Sequence, residues 1–214
     1  MTEQRATVDQ IERRLIVRGG KSVVRVFTTL FHDLKVITPS PIPARGPGIL
    51  VCNHISSLDP VLLQAACSRV ITWMMAREYS IFGLRWFLNA IEPIMVERSG
   101  RDMAATRAAL RALKDGKLLG LFPEGRISTS HELLEFQTGI ALLAQKSGAP
   151  VYPAYLDGSL RGKGMLEAMI SPQQATLAFG PPIQLDDNGD GREGLEAATK
   201  RIRDAVAALA EPGR

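Results

Sequence analysis

Short apolar segments alternate with helical segments along most of this chain, and that alternation constrains the fold more than any other feature. Apolar runs of strand length are followed by stretches in which apolar residues recur at helical spacing. Strands that alternate with helices form α/β sheets, so the pattern predicts a mostly parallel or mixed central sheet with helices on both faces. Strands are predicted near residues 48–52, 70–76, 93–97, 118–122, 151–156 and 175–179, and helices near 60–67, 79–89, 101–115, 136–147 and 192–210.

The first 38 residues form a separate segment in this prediction. Residues 6–18 and 21–37 both have helical spacing, which predicts an N-terminal amphipathic helical pair before the sheet domain of residues 39–214. In the second helix, one face is apolar and the other is polar. The apolar face contains Val23, Val24, Phe27, Leu30, Phe31 and Leu34, and the polar face contains Arg25, Thr28, Thr29, His32 and Lys35.

The charge of the N-terminal segment favours contact with an anionic surface. Residues 1–36 contain seven Lys or Arg against four Asp or Glu, in a chain whose net charge is +4. The competing interpretation is that the apolar face of helix 21–37 packs on the sheet, as amphipathic helices of globular domains usually do.

We find no signal-peptide pattern and no run of 18 or more apolar residues. We therefore expect a cytoplasmic protein that associates peripherally with the inner face of the membrane.

His54 and Asp59 stand where a predicted strand gives way to a predicted helix, the usual place for ligands in an open α/β sheet. A histidine beside a carboxylate can take a proton from a hydroxyl group, because imidazole titrates near neutral pH. The structural alternative is that Asp59, directly before Pro60, caps the helix and that His54 is a hydrogen-bonded histidine at a strand end. A carboxylate has two oxygens, so one could cap the helix while the other orients His54.

Other predicted strand ends also carry polar side chains. Arg98 follows the short strand near 93–97, and the strand near 118–122 runs into Pro123-Glu124-Gly125-Arg126. Together with His54 and Asp59, these residues suggest one site along a sheet edge. Arginines at that edge would suit a phosphate, which they bind through planar bidentate hydrogen bonds. The alternative is that Arg98 and Arg126 are solvated surface residues.

These segments together resemble the glycerophospholipid acyltransferases, specifically the lysophosphatidic acid acyltransferase group. The family's first block is Asn-His, four residues and Asp, as in Asn53-His54 through Asp59. The second is an apolar stretch that ends in arginine, here Arg98. The third is Phe-Pro-Glu-Gly with a nearby arginine and serine, and the fourth is a Val-x-Pro strand. These last two are matched by Phe122 to Arg126 with Ser128, and by Val151-Tyr152-Pro153.

The sequence departs from the family pattern at places that concern the acceptor, two of which lie in the second and third blocks. The second block usually has a glycine six residues before its arginine, and Glu92 stands there. The third block commonly has Thr between Gly and Arg, whereas Arg126 follows Gly125 directly. This variant looks similar to acyltransferases that act on other lysophospholipids.

The resemblance implies an acyltransferase that moves a fatty acyl group from acyl-CoA or an acyl carrier protein to the free hydroxyl of lysophosphatidic acid, for phospholipid biosynthesis. It implies His54 as general base, Asp59 as its orienting partner, and a polar head group bound by Arg98, Glu124 and Gly125, with Arg126 replacing the displaced arginine. Pro153 is expected to line the substrate site. The alternatives are a different lysophospholipid or lyso-aminolipid acceptor, or a non-catalytic lipid-binding relative.

We expect no cofactor, no metal and no nucleic acid partner. A thioester is already an activated acyl donor, so transfer to a hydroxyl needs neither a metal nor a redox group. Residues 186–191 match the opening of an EF-hand loop, but Ala197 stands where the closing bidentate glutamate belongs.

A backbone N–H near Gly125 is a candidate donor to the oxyanion of the transition state.

Overall fold

The computed structural model describes residues 19–76, 93–97, 102–130, 132–161, 165–185 and 191–210. The predicted helices at 6–18 and 79–89 lie outside these ranges. The strands are β1 Lys35–Val36, β2 Gly48–Cys52, β3 Ile71–Ala76, β4 Ile94–Val96, β5 Leu118–Leu121, β6 Val151–Asp157 and β7 Thr176–Phe179. The helices are α1 (residues 19–31 as described), α2 Asp59–Ala66, α3 Met103–Lys114, α4 Gly139–Ser147, α5 Met165–Ile170 and α6 Arg192–Ala207.

The seven described strands form one sheet in the order β1-β7-β6-β2-β5-β3-β4. Strand β6 pairs antiparallel with β7, and all other neighbours are parallel. The predicted mixed α/β sheet is thus confirmed. Strand β2 lies between β6 and β5, and all five of its residues are buried. This explains its uninterrupted apolar sequence, because a parallel strand covered on both faces has no side exposed to water.

Helices cover both faces of the sheet, as the alternation predicts. On one face, Leu50 and Cys52 of β2 pack with Leu62 and Leu63 of α2 and with Ala168 of α5. On the other face, a second core holds Ile49 and Val51 of β2 together with side chains of three helices, namely Leu113 of α3, Ile140 of α4 and Ile202 of α6. Each fully buried Leu or Ile contributes about 1.5–3 kcal/mol through removal of its surface from water.

The predicted helix 21–37 is wrong at its C-terminal end, because helical structure stops at residue 31. Asp33 adopts a positive φ of 40°, and the chain then enters strand β1. Here the Lys35 N–H donates to the Ala175 carbonyl and the Ile37 N–H donates to the Leu177 carbonyl. A two-residue, exposed edge strand has no apolar periodicity, so the sequence pattern could not separate it from the helix. The helix α5 was not predicted either, because six residues are too few to show a helical periodicity.

Helix α1 and the residue that follows it pack in part through the predicted polar face, while part of the predicted apolar face is exposed. Thr28 and His32, both on the predicted polar face, are 0% exposed, whereas Leu30 is 81% exposed and Val23 69%. The His32 ring sits edge-on to Phe27 and Phe31, and burial lowers its pKa. Helix α1 thus leaves apolar side chains uncovered by the described part of the chain. Within the described residues no helix combines the length and apolarity needed to cross a bilayer.

Gly120 in β5 provides the space for an aromatic side chain that lies close to the predicted site. A Cβ at this position would lie 2.3 Å from Cγ2 of Ile71 and 2.8 Å from two ring carbons of Trp73. Residue 120 pairs with Trp73 across the β3–β5 ladder, and Trp73 is 3% exposed. The absence of a side chain at residue 120 therefore sets the position of the indole.

Gly120→Ala should lower the free energy of unfolding by about 1–3 kcal/mol, because the added methyl must displace Ile71 or Trp73. Urea unfolding of the purified protein measures this change. Gly139→Ala is the matched control, since nothing lies within 4 Å of a Cβ at the first residue of α4, and its unfolding midpoint should be unchanged or slightly higher. An unchanged midpoint for Gly120→Ala would contradict the packing described here.

Candidate functional site

Three neighbouring strands end at the same edge of the sheet, and the predicted site residues follow two of them. Strands β6, β2 and β5 are adjacent and parallel. Their carboxyl ends are therefore side by side, and β2 runs into His54 while β5 runs into Glu124. The sheet topology thus brings the first and third sequence blocks together, although they are 70 residues apart.

His54 and Asp59 form a hydrogen-bonded pair. The Nδ1 atom of His54 lies 2.9 Å from Oδ2 of Asp59, whose side chain is fully buried. Because a carboxylate only accepts hydrogen bonds, Nδ1 carries the proton and Nε2 is left as the basic nitrogen. The His54 side chain is 16% exposed, so a substrate can reach it.

Asp59 does not cap α2 in the way the sequence suggested. The N-cap residue is Leu58, and the helix has no side-chain cap hydrogen bond. Instead, Oδ2 of Asp59 turns back along the chain and accepts the backbone N–H groups of Ile55, at 2.7 Å, and Ser56, at 2.8 Å. The same oxygen therefore closes the β2–α2 loop and holds the imidazole.

The backbone of His54 is fixed by the segment that follows β5. The His54 N–H donates to Oε1 of Glu124 at 3.0 Å, and its carbonyl accepts the Ser128 N–H at 2.6 Å. Oε2 of Glu124 accepts the Leu134 N–H at 3.4 Å. Both main-chain groups of His54 are thus engaged by the third sequence block, which explains in structural terms why the two blocks occur together in one site.

Two aromatic rings fix the plane of the imidazole. The Phe122 ring stacks on His54 with centroids 4.0 Å apart and an interplanar angle of 12°. Trp73 stacks on the far side of Phe122, with centroids 5.1 Å apart and an angle of 6°. The ring of His54 therefore has a stacked face and a hydrogen-bonded Nδ1, and among the described residues no hydrogen bond engages Nε2. Neither Trp73 nor the ring of Phe122 was predicted from the sequence to contact His54.

Glu124 is 6% exposed, and burial raises the pKa of its carboxyl group, an effect that the N–H donors of His54 and Leu134 partly offset. Each of its oxygens faces a backbone donor of the protein. These contacts support a role for Glu124 in holding His54. A role in binding the acceptor head group stays a prediction.

The remaining predicted site residues are placed as follows. Gly125 and Arg126 are exposed in the turn after β5, beside Glu124. Gly125 has a φ of 69°, and its N–H donates to the Phe122 carbonyl, so this N–H closes a turn and is not aimed at an oxyanion. Pro153 is buried inside β6, where it pairs with Val51 and its ring approaches Gly180. Arg98 lies outside the described residues.

Asn53 ties β2 to β6 beyond the last strand pair, a role that the sequence motif did not reveal. Its side-chain amide donates to the Leu156 carbonyl and accepts the Leu156 N–H, both at 2.8 Å.

The thiol of the neighbouring Cys52 is buried, which raises its pKa well above the ordinary value. Burial also raises the pKa of Cys67 to about 12. Both thiols therefore stay protonated at neutral pH, and neither is suited to act as a nucleophile.

The geometry is that of a general base for a hydroxyl group. With the proton on Nδ1, Nε2 is the nitrogen that can accept a proton, the side chain is partly exposed, and a developing imidazolium would face a buried carboxylate. In the part of the chain that the structure describes, no group of three or more His, Cys, Asp and Glu side chains is placed to hold a metal ion.

Two acyltransferases are among the known proteins to which this chain is similar. The 1-acyl-sn-glycerol-3-phosphate acyltransferase of Bacillus subtilis is 24% identical over 193 residues, which cover 88% of this chain and 94% of that protein. The lyso-ornithine lipid O-acyltransferase of Rhizobium meliloti is 30% identical over 114 residues, covering 52% of this chain and 38% of that protein.

The fold is also found in a solved structure. The crystal structure of the 1-acyl-sn-glycerophosphate (LPA) acyltransferase PlsC from Thermotoga maritima superimposes with a TM-score of 0.75 at 24% sequence identity. The match covers 96% of this chain and 84% of that one. The sequence model of the family described as Acyltransferase matches residues 33–157, a range that spans α2, β2 to β6 and the pair His54–Asp59. The chain therefore belongs to the acyltransferase family.

Proposed function

We propose that this acyltransferase moves a fatty acyl group from a thioester, acyl-CoA or acyl carrier protein, to the free hydroxyl of lysophosphatidic acid in phospholipid biosynthesis. The observation that carries the proposal is the His54–Asp59 hydrogen bond at an accessible sheet edge, in a chain of this family. The Bacillus subtilis relative, which aligns over nearly its full length, is named for this acceptor and supports the choice.

The chemistry follows from the two ring nitrogens of His54. Nε2 takes the proton of the acceptor hydroxyl as its oxygen attacks the thioester carbonyl, and a C–O bond forms. The imidazolium is stabilised by Asp59 through Nδ1. The tetrahedral intermediate then collapses, the C–S bond breaks, and the departing sulfur takes the proton from Nε2. The products are the diacylated lipid and a free thiol, and His54 returns to its starting state.

The acceptor's phosphate would be bound by arginine. Arg126 is exposed in the turn beside Glu124, two residues from the group that holds His54. A guanidinium there can form planar bidentate hydrogen bonds to a phosphate. We assign the same role to Arg98, from its place in the second sequence block. The exposed position of Gly125 would let the head group approach the backbone closely.

A lyso-aminolipid acceptor is the second candidate, and one observation favours it. The Rhizobium meliloti relative, at 30% identity over 114 residues, is named for lyso-ornithine lipid. Such an acceptor has no phosphate, so the arginines would matter less to its binding.

An acceptor screen with the purified full chain tests the proposal. Thiol release is measured with acyl-CoA and with acylated carrier protein, against lysophosphatidic acid, lysophosphatidylethanolamine and lyso-ornithine lipid. We expect turnover to be highest with lysophosphatidic acid, and His54→Ala to lower it about 10²- to 10⁴-fold while the near-UV circular dichroism spectrum is kept.

Two results of this screen would be decisive against parts of the proposal. Preference for lyso-ornithine lipid would replace the acceptor while leaving the acyl transfer in place. A folded His54→Ala variant with wild-type turnover would remove His54 from the role of base.

Arg126→Lys gives a further comparison, since it keeps the charge but loses the planar fork and should raise the KM for lysophosphatidic acid alone.

We also propose that α1 docks on the anionic inner face of the cytoplasmic membrane, where the acceptor resides. Val23, Val26 and Leu30 recur at helical spacing and are 69%, 57% and 81% exposed. The opposite side of the helix is the one buried on the domain, through Thr28 and His32. The alternative that the whole apolar face packs on the sheet does not account for these exposures. Arg25 is also exposed on this helix, and its positive charge would favour approach to an anionic surface.

Vesicle co-sedimentation measures the docking. Leu30→Glu should weaken binding to vesicles that contain phosphatidylglycerol by about tenfold or more, because it removes a Leu from the bilayer and adds a negative charge. Ala197→Glu is the matched control, since it adds the same charge at an exposed position of α6, on the other face of the sheet. Higher salt should weaken binding of the unmutated protein. Equal binding of Leu30→Glu and Ala197→Glu would contradict docking through α1.

A further inference from the structure

Ser159 contacts the pair from the third strand end of the site edge. Its hydroxyl donates to Oδ1 of Asp59 at 3.1 Å, and the side chain is 5% exposed. The three other donors to this carboxylate, from His54, Ile55 and Ser56, all bond to Oδ2. Ser159 therefore engages the oxygen that the β2–α2 loop leaves open, and it is 100 residues away in sequence.

The loop after β6 is built to hold Ser159 in this position. Gly158 has a φ of 77°, and a Cβ there would lie 2.0 Å from the Gln174 carbonyl oxygen. No other residue type could turn the chain here without displacing the strand that follows. On the other side of Ser159, the Leu160 N–H donates to Oε1 of Gln173 at 2.8 Å.

The same loop is also tied to the third sequence block. The Arg161 guanidinium donates to Oδ1 of Asp157, at the end of β6, and to the Ser130 carbonyl, two residues after the Ser128 that holds His54. The contacts on both sides of Ser159 limit the movement of its hydroxyl. They also link the β6 loop to the segment that fixes the His54 backbone.

We propose that Ser159 is a positioning residue for acyl transfer, whose hydroxyl fixes the rotation of the Asp59 carboxylate so that Oδ2 stays aligned with Nδ1 of His54. A carboxylate held by donors on one oxygen can still rotate about the Cβ–Cγ bond, and a donor on the second oxygen opposes this rotation. The hydroxyl also withdraws negative charge from the carboxylate and so tunes how strongly Asp59 favours the imidazolium. This inference rests on the proposed function.

Kinetics of Ser159→Ala test the role. We expect kcat to fall about tenfold, the effect of losing one hydrogen bond to a charged group, with the KM for donor and acceptor little changed. We expect the acidic limb of the pH profile of kcat/KM to move to higher pH, because the Asp59 carboxylate then keeps more of its charge toward the imidazole. Glu124 and Cys52 also face the pair, and both are unchanged in this variant. Ser159→Thr keeps the hydroxyl and should restore the limb.

A second measurement does not depend on the identity of the acceptor. The Nδ1 proton of His54, bonded to Asp59, should give a deshielded proton NMR resonance, which its loss in His54→Ala would assign. This resonance should move in Ser159→Ala and return in Ser159→Thr. Ser147→Ala is the control, since it removes a hydroxyl that bonds to the Leu143 carbonyl on α4 and should leave the resonance unchanged.

The outcomes separate this inference from the proposed function. If lysophosphatidic acid is not acylated but the resonance moves, the acceptor is wrong and the role of Ser159 stands. If Ser159→Ala is folded and has the kcat, the pH profile and the resonance of the unmutated protein, Ser159 is no more than a buried hydroxyl with a satisfied hydrogen bond, and the inference is overturned. If Ser159→Ala does not fold, Ser159→Cys takes its place, because a thiol is a weak hydrogen-bond donor. The resonance should then move in Ser159→Cys and not in Ser159→Thr. An unshifted resonance in Ser159→Cys would also overturn the inference.

Discussion

The site depends on one buried charge, the carboxylate of Asp59. Removal of a carboxylate from water costs several kcal/mol, and this cost must be offset by hydrogen bonds inside the protein. Asp59 receives four of them, from two backbone N–H groups, the imidazole of His54 and the hydroxyl of Ser159. The groups that stabilise the charge are the same groups that define the site. The need to satisfy one buried anion therefore closes the β2–α2 loop and orients the imidazole of His54.

The sheet supplies the geometry that lets distant segments meet around this charge. Strand β2 lies between β6 and β5, so its carboxyl end is flanked by the loops that carry Ser159 and Glu124. Glu124 and Ser128 hold the main chain of His54, while Phe122, braced by Trp73, holds its ring. Each contact acts on a different part of the residue. The imidazole is consequently fixed in position, plane and tautomer before any substrate binds, which is the condition for efficient general-base catalysis.

Much of the fold could be predicted from the sequence because buried parallel strands and amphipathic helices have distinct periodicities. The strand near 48–52 and the helix near 192–210 are clear cases. The pairing of His54 with Asp59 could also be predicted, since only five residues separate them across one strand-to-helix connection. Ser159 could not be, because its contact depends on the order of β6 and β2 in the sheet and on the turn at Gly158. Which face of α1 packs on the domain could not be predicted, because periodicity identifies an apolar face without identifying what covers it.

Asp59→Asn gives the most direct test of the account. The amide oxygen can still accept from Ile55 and Ser56, so the loop and the fold should be kept, but the buried negative charge that stabilises the imidazolium is gone. We predict that kcat for acyl transfer falls about 10²- to 10⁴-fold, with a near-UV circular dichroism spectrum like that of the unmutated protein. A folded Asp59→Asn protein with unchanged kcat would contradict the claim that the charge on Asp59 organises and drives the site.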